Sequence, residues 1–287
     1  MSGSPEAAAG LPEGRWRGRW IWSGVPSVST GTLLAGTIDP EEGQGFACLR
    51  RSLFLDSVPD SAPARCTADS RYVLFVNGTE LARGPIRGDG RKLHYDAFDL
   101  APHLRRGPNV LAVLARWYGF ATPWWAPVPP TLQLGGGAFV FEARIGGTWL
   151  ASDASWRAHA ATAWGRQRPL GVGGISPECF DARALPEGWR EEAFDDSGWP
   201  AATELRALHV GFLGRHEPPV HPYGALVPRP IAYLQGTTRE ASCVARSSAL
   251  EAPELPDPVL SVRAALAAAG PAEQGSGDRV VARPGAA

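Results

Sequence analysis

The sequence predicts an all-β protein, an antiparallel β-sandwich. Three observations carry that prediction. Asn77-Gly78 stands between two β-rich runs, RYVLFV and TELA. Asn-Gly is the strongest short hairpin signal, because a type I′ turn needs positive φ at both central residues. Residues 139–145 alternate, with Phe139, Phe141, Ala143 and Ile145 inward and Glu142 and Arg144 outward. Gly and Pro, 34 and 27 of 287 residues, supply many turns, while helix-period patterns are almost absent from this part of the chain. That excludes a doubly wound α/β fold.

The elements follow in order. Residues 1–14 are small and polar and read as a loose tail. In RWRGRWIW, the even spacing of Trp16, Trp20 and Trp22 puts three rings on one face of an extended strand. Residues 46–55 are a strand with apolar residues of both parities (Phe46, Cys48, Phe54; Leu49, Leu53, Leu55), which implies cover on both sides. Residues 72–76 and 80–82 form the Asn77-Gly78 hairpin. Gly107-Pro108-Asn109 turns into a strand over 110–118, with Leu111, Val113, Ala115 and Trp117 on one face. Gly146-Gly147 links 139–145 to a partner at 148–152. Residues 203–210 are a late strand candidate. The sandwich therefore spans 15–212. The proline-dense stretch HEPPVHPYGALVPRP makes 213–236 an extended linker. Residues 237–287 read as a poorly ordered tail. Within it Asp257-Pro258 and Gly270 bracket a short helix over 258–269.

Composition narrows the function classes. A net charge of −1 gives nothing to favour nucleic acid or an anionic membrane. No apolar run approaches the roughly 20 residues that span a bilayer. The first residues lack a basic start followed by an apolar stretch, so the sequence expectation is a cytoplasmic protein without a secretory signal. Cys48, Cys66, Cys179 and Cys243 show no CxxC pairing, which favours buried free thiols over a metal or redox site. A bridge between Cys48 and Cys66 is the alternative, on neighbouring strands. His209, His216 and His221 lack zinc-ligand spacing, and Gly171 to Gly174 lack the strand-to-helix setting of a dinucleotide site. No metal or cofactor is expected. Eleven Trp suit both sandwich cores and sugar-stacking platforms.

Several segments recur in a recognisable order: RWIW at 19–22, ADSRYVLFVNG at 68–78, ARGPIR at 82–87, HYDAFDLAPHLRRGPNVLAV at 94–113, and Trp117-Tyr118-Gly119. SDASWRA at 152–158, FDDSGWPAA at 194–202 and PRPI at 228–231 follow. Related accessory sandwiches share the FDDSxW and NG themes, so the specificity lies in the co-linear order over about 15–235. On these motifs the chain resembles the N-terminal accessory domain of bacterial α-L-rhamnosidases. The resemblance implies a jelly-roll, galactose-binding-like sandwich. It also implies a parent enzyme that hydrolyses terminal α-L-rhamnosides with inversion, in a separate catalytic barrel of helix pairs. No amphipathic helical hairpins that could build such a barrel occur here, and no catalytic residue carries over. The expected partners are a rhamnose-containing glycan and that barrel domain, not nucleic acid or membrane.

The sandwich itself offers little chemistry. Glycoside hydrolysis needs two carboxylates across a cleft. Asp195-Asp196 is the only tight acidic pair in the sandwich motifs, and neighbours on a strand point to opposite faces. FDDSGW reads instead as a turn, with Asp and Ser bonding nearby N–H groups and Phe194 and Trp199 anchoring the core. Asp96 or Asp99 can cap turns, and Tyr95 can bury its ring. Asn77-Gly78-Thr79 fits a glycosylation sequon, but a tight hairpin argues against its use. The candidate sugar contacts are Trp124 and Trp125 beside Trp117 and Tyr118, held in a proline-rich loop, with Arg83, Arg87 and Asp89 as polar neighbours. The competing account has the rings closing the sandwich end or packing on another domain, and the charges simply solvated. A third account of the whole chain is the inactive piece of a truncated rhamnosidase gene.

Overall fold

A computed structural model of the chain describes residues 11–12, 16–24, 45–87, 92–117, 137–165, 180–205 and 225–233. All lie in the first of two compact units, Met1–Tyr233. Among them run β1 (Ile21–Trp22), β2 (Gly45–Leu55), β3 (Pro63–Asp69), β4 (Arg71–Val76), β5 (Thr79–Gly84) and β6 (Lys92–Asp99). The series continues with β7 (Gly107–Trp117), β8 (Ala138–Ile145), β9 (Thr148–Ala151), β10 (Arg157–Ala160), β11 (Thr203–Glu204) and β12 (Ala225–Pro228). One sheet has the order β11-β1-β8-β3-β6-β12, with β9 also on β8; the other is β10-β2-β7-β4-β5. Every pairing is antiparallel except β12 on β6. The protein is an all-β sandwich.

The elements read from sequence form for the reasons given there. Asn77 and Gly78 have φ of 49° and 81°, the doubly positive turn that joins β4 to β5. The Asn77 side chain is spent internally: its amide donates to His103 O and Asn109 Oδ1, and its oxygen accepts from Val110 N–H. That leaves no free amide for a sugar. On β7, Leu111, Val113, Ala115 and Trp117 all face the core. Phe139 and Phe141 face it from β8 and pack on the fully buried Trp156 ring, at centroid distances of 5.9 and 5.6 Å. Large aromatic side chains of this kind anchor a sandwich core by burying the most apolar area per residue.

The structure corrects other readings. Glu142 points away from the core yet is fully buried. Its cross-strand partner Arg65 donates from Nε to Oε1 at 2.8 Å, and Arg17 N–H donates to Oε2 at 2.5 Å. The Trp16 ring covers the Arg65 guanidinium at 4.3 Å. The segment 16–18, ahead of β1, thus lies over Glu142 and Arg65 on the outer face of β8 and β3, and a buried carboxylate is tolerable there only because it is paired. Trp16, Trp20 and Trp22 are all buried, but only Ile21–Trp22 joins a ladder, and Ile21 is buried as well.

β2 is covered on both faces along only its first half. Ala47 and Leu49 face the main core, while Cys48 joins a second cluster with Phe75, Ala112, Ala161, Trp189 and Trp199. Past that cover Phe54 is 70% exposed. Cys48 and Cys66 lie in different sheets and are free thiols, so no bridge links them. FDDSGW forms the expected turn, with Ser197 N–H bonded to Asp195 Oδ1 and the Phe194 and Trp199 rings edge to face. Asp196 does something else: it binds the fully buried Arg50 at 2.8 Å. Arg50 also donates to the carbonyls of Trp189, Glu191 and Phe194, fastening the outer layer to β2.

Four strands escaped the sequence reading: β3, β6, β10 and β12. β3 reads PARCTAD, yet every residue is buried. Its polar side chains find internal partners, Arg65 on Glu142, Thr67 on His94 O and Asp69 on Ser70 Oγ. The segment read as a linker contains β12, a paired strand. Of the late strand candidate, Thr203–Glu204 is paired, and 206–210 lie outside the described residues, as do the 258–269 helix and the 237–287 tail. No helix of the described residues is long and apolar enough to cross a membrane.

Candidate functional site

Strand register places the roots of two candidate loops at one end of the sandwich. Gly45 pairs with Trp117, Arg116 pairs with both Phe46 and Arg71, and Tyr72 pairs with Gly84. Asp69 pairs with Ala138 on the other sheet, and Ser70 N–H bonds Arg116 O across the gap. Residues 85–87 and 117 therefore leave from the same rim. Arg71 reinforces it by donating from Nη1 to Pro85 O. Arg87 is exposed at this rim. Asp89, Tyr118, Trp124 and Trp125 lie outside the described residues.

Trp117 is 5% exposed and part of the main core. A Cβ on Gly45 would sit 3.7 Å from both the Trp117 and Trp22 rings, so these rings flank Gly45 and close the core at the rim. The Trp117 indole N–H is buried and has no hydrogen-bond partner among the described residues. Arg83 is exposed on edge strand β5, and both its Nε and Nη2 bind the Glu80 carboxylate at 2.7 Å. Its fork is therefore already occupied, and Glu80 raises its pKa further through that hydrogen bond.

Sequence reasoning missed the rest of the rim. Phe46, Trp164 and Phe180 form a ladder of rings, with successive centroids 4.6 Å apart, and the Arg116 guanidinium lies 5.1 Å above Phe46. Phe180 is 48% exposed. No local pattern pairs Phe46 with Trp164; only register brings them together. Aromatic faces with guanidinium donors can hold a hydroxyl-rich ligand by stacking and hydrogen bonding.

The described buried acids are engaged in structure. Asp69, Asp96 and Glu142 each accept bonds from protein groups. Of Asp96 and Asp99, the two acids that the sequence offered as turn caps, Asp96 does not cap a turn. It accepts from the Tyr72 hydroxyl and, at 2.5 Å, from Arg229 Nε. Burial pushes its carboxyl above the usual range, and those partners only partly oppose it. Asp99 is the cap, accepting from Ala62 and Ala101 N–H.

Known proteins resemble this architecture over most of its length. Residues 59–222 match the family described as alpha-L-rhamnosidase N-terminal domain. An alpha-L-rhamnosidase of Streptomyces avermitilis is 26% identical over 213 residues, covering 71% of this chain and 18% of that protein. The crystal structure of a GH78 family rhamnosidase of Bacillus sp. GL1 matches at 31% identity and TM-score 0.57, over 75% of this chain and 20% of its own. An alpha-L-rhamnosidase from Dictyoglumus thermophilum shares the fold at 18% identity and TM-score 0.53, over 77% and 23%. The chain thus spans about a fifth of the length of these relatives.

Proposed function

The chain belongs to the alpha-L-rhamnosidase N-terminal domain family, and from that premise we propose that it is a non-catalytic, glycan-binding accessory module of an α-L-rhamnosidase-like glycoside hydrolase. The observation that carries this is the family match over a sandwich that covers only a fifth of each relative. The parent reaction is hydrolysis of terminal α-L-rhamnosides, carried out by a separate catalytic barrel domain. The module's ligand is a rhamnose-containing glycan held at the loop rim. Trp124 and Trp125 supply stacking faces, Arg87 and Asp89 supply polar contacts, and Tyr118, Arg83 and Trp117 support them. The shared rim of the 85–87 and 117 strand ends supports that choice. A cytoplasmic setting belongs to the same reading, and the unbridged Cys48 and Cys66 suit a reducing compartment.

The burial of Trp117 favours a second reading, in which the rings complete the sandwich and the module is purely structural. Calorimetric titration with L-rhamnose and an aryl α-L-rhamnoside separates the two. The glycan reading expects saturable binding that Trp124→Ala and Trp125→Ala each weaken about tenfold, or about 1.4 kcal/mol. No saturation at millimolar sugar leaves the structural reading standing. Release of aryl alcohol above the buffer rate would overturn the non-catalytic assignment.

A further inference from the structure

The motif PRPI at 228–231 has a structural role that the glycan reading does not use. β12 lies beyond the family match, which ends at residue 222, and it adds the last strand to its sheet in parallel register, from Ala225 on Lys92 to Pro228 on Tyr95. Four residues of parallel ladder at an edge hold weakly by themselves. The next residue supplies what the ladder lacks. Arg229 N–H donates to Tyr95 O at 2.9 Å, and the side chain then turns inward. Nε reaches Asp96 Oδ1 at 2.5 Å, Nη2 reaches Arg83 O at 3.4 Å, and the guanidinium covers the Tyr233 ring at 4.4 Å. The Arg229 side chain is 10% exposed and that of Asp96 is fully buried.

The receiving socket is built from several strands. β4 supplies the Tyr72 hydroxyl to Asp96 Oδ2. β5 supplies Gly84, where a Cβ would lie 1.9 Å from that same oxygen, so only glycine leaves room for the carboxylate. β3 brings Cys66 close to Asp96 and Tyr72. Pro228 fixes its own φ and Pro230 holds Arg229 to extended backbone, which lowers the entropy lost when the arginine enters. Pro230, Ile231 and Ala232 are exposed, so beyond β12 the attachment rests on Arg229 and the half-buried Tyr233 ring that it covers.

We propose that residues 225–233 are a strap latched onto the sandwich by Arg229 in the Asp96 socket, and that opening this latch frees the strap while the sandwich stays folded. The charge-assisted bonds to Asp96 are the strong ones in the set, whereas the strap adds only the half-buried Leu226 to the main core. Hydrogen exchange on the full chain tests this with two variants. Asp96→Asn keeps an acceptor for Tyr72 and removes the charge; Arg229→Gln removes the cation. Protection of 226–233 is expected to fall about tenfold or more in both, while 139–145 changes by less than about twofold. Unchanged protection of 226–233 in both variants overturns the latch. A parallel loss in 139–145, or failure of both variants to fold, overturns its separability from the core.

Discussion

Arg50 offers the sharpest test of how the outer layer is held. The residue is fully buried, yet its cation makes no use of solvent: it binds Asp196 and the carbonyls of Trp189, Glu191 and Phe194. Arg50→Met keeps most of the stem volume and removes every donor. Asp196 is 20% exposed and can hydrate, so the loss falls mainly on the three carbonyls. Bonds to a charged donor contribute about 1.5–3 kcal/mol each, but water can reach the exposed stretch around Glu191 and recover part of that. The expected loss is about 3 kcal/mol, toward the lower end for breaking a buried ionic network. Urea unfolding monitored by tryptophan fluorescence measures it, and a thermal scan should show a midpoint lower by roughly 6–12 °C. Arg83→Met is the control, because the Arg83–Glu80 pair is exposed and such pairs contribute about 0–1 kcal/mol. If the two variants lose the same stability, or Arg50→Met loses less than about 1 kcal/mol, burial does not set the strength of these arginine contacts.

Three further outcomes are expected. Gly78→Ala should cost about 1–2 kcal/mol in urea unfolding, because residue 78 holds φ of 81° and an added Cβ would meet the Glu191 carboxylate; an unchanged midpoint would contradict the turn argument. Burial pushes the Cys48 thiol up to about 12 and Cys66 well above its ordinary value, so iodoacetamide at pH 8 should leave both unmodified in peptide maps of the folded chain and label both in urea. Equal labelling in the two states would refute this. Two carboxylates pull the acid limb of stability in opposite directions. Arg183 holds Asp181 down at about 2, so its contribution is present above pH 3.8 and is lost as pH falls through 2. Asp96 is raised by burial, so its contribution is present below its ordinary value and is lost as pH rises through the raised one. Unfolding series between pH 2 and 6 should therefore change slope in opposite senses for Asp181→Asn and Asp96→Asn; the same sense in both would defeat the assignment.

What the sequence determined by itself was local. The Asn77-Gly78 turn, the Gly146-Gly147 turn and the inward rows of β7 and β8 follow from φ preferences and a two-residue period, which neighbouring residues encode. The ordered motifs identified the family for the same reason, since they are strings read along the chain. What only the tertiary structure decided was pairing between distant residues. PARCTAD is a central strand because Glu142, 77 residues away, neutralises Arg65, and Val-Pro-Arg-Pro runs from a paired strand into a buried ion pair because Asp96, 133 residues before Arg229, takes its cation. The rim is legible only in part: its named tryptophans stand out in sequence, while the Phe46–Trp164–Phe180 ladder depends on register. A buried charge looks like a surface charge until its partner is known, because the free energy that permits burial resides in the pair and not in either residue.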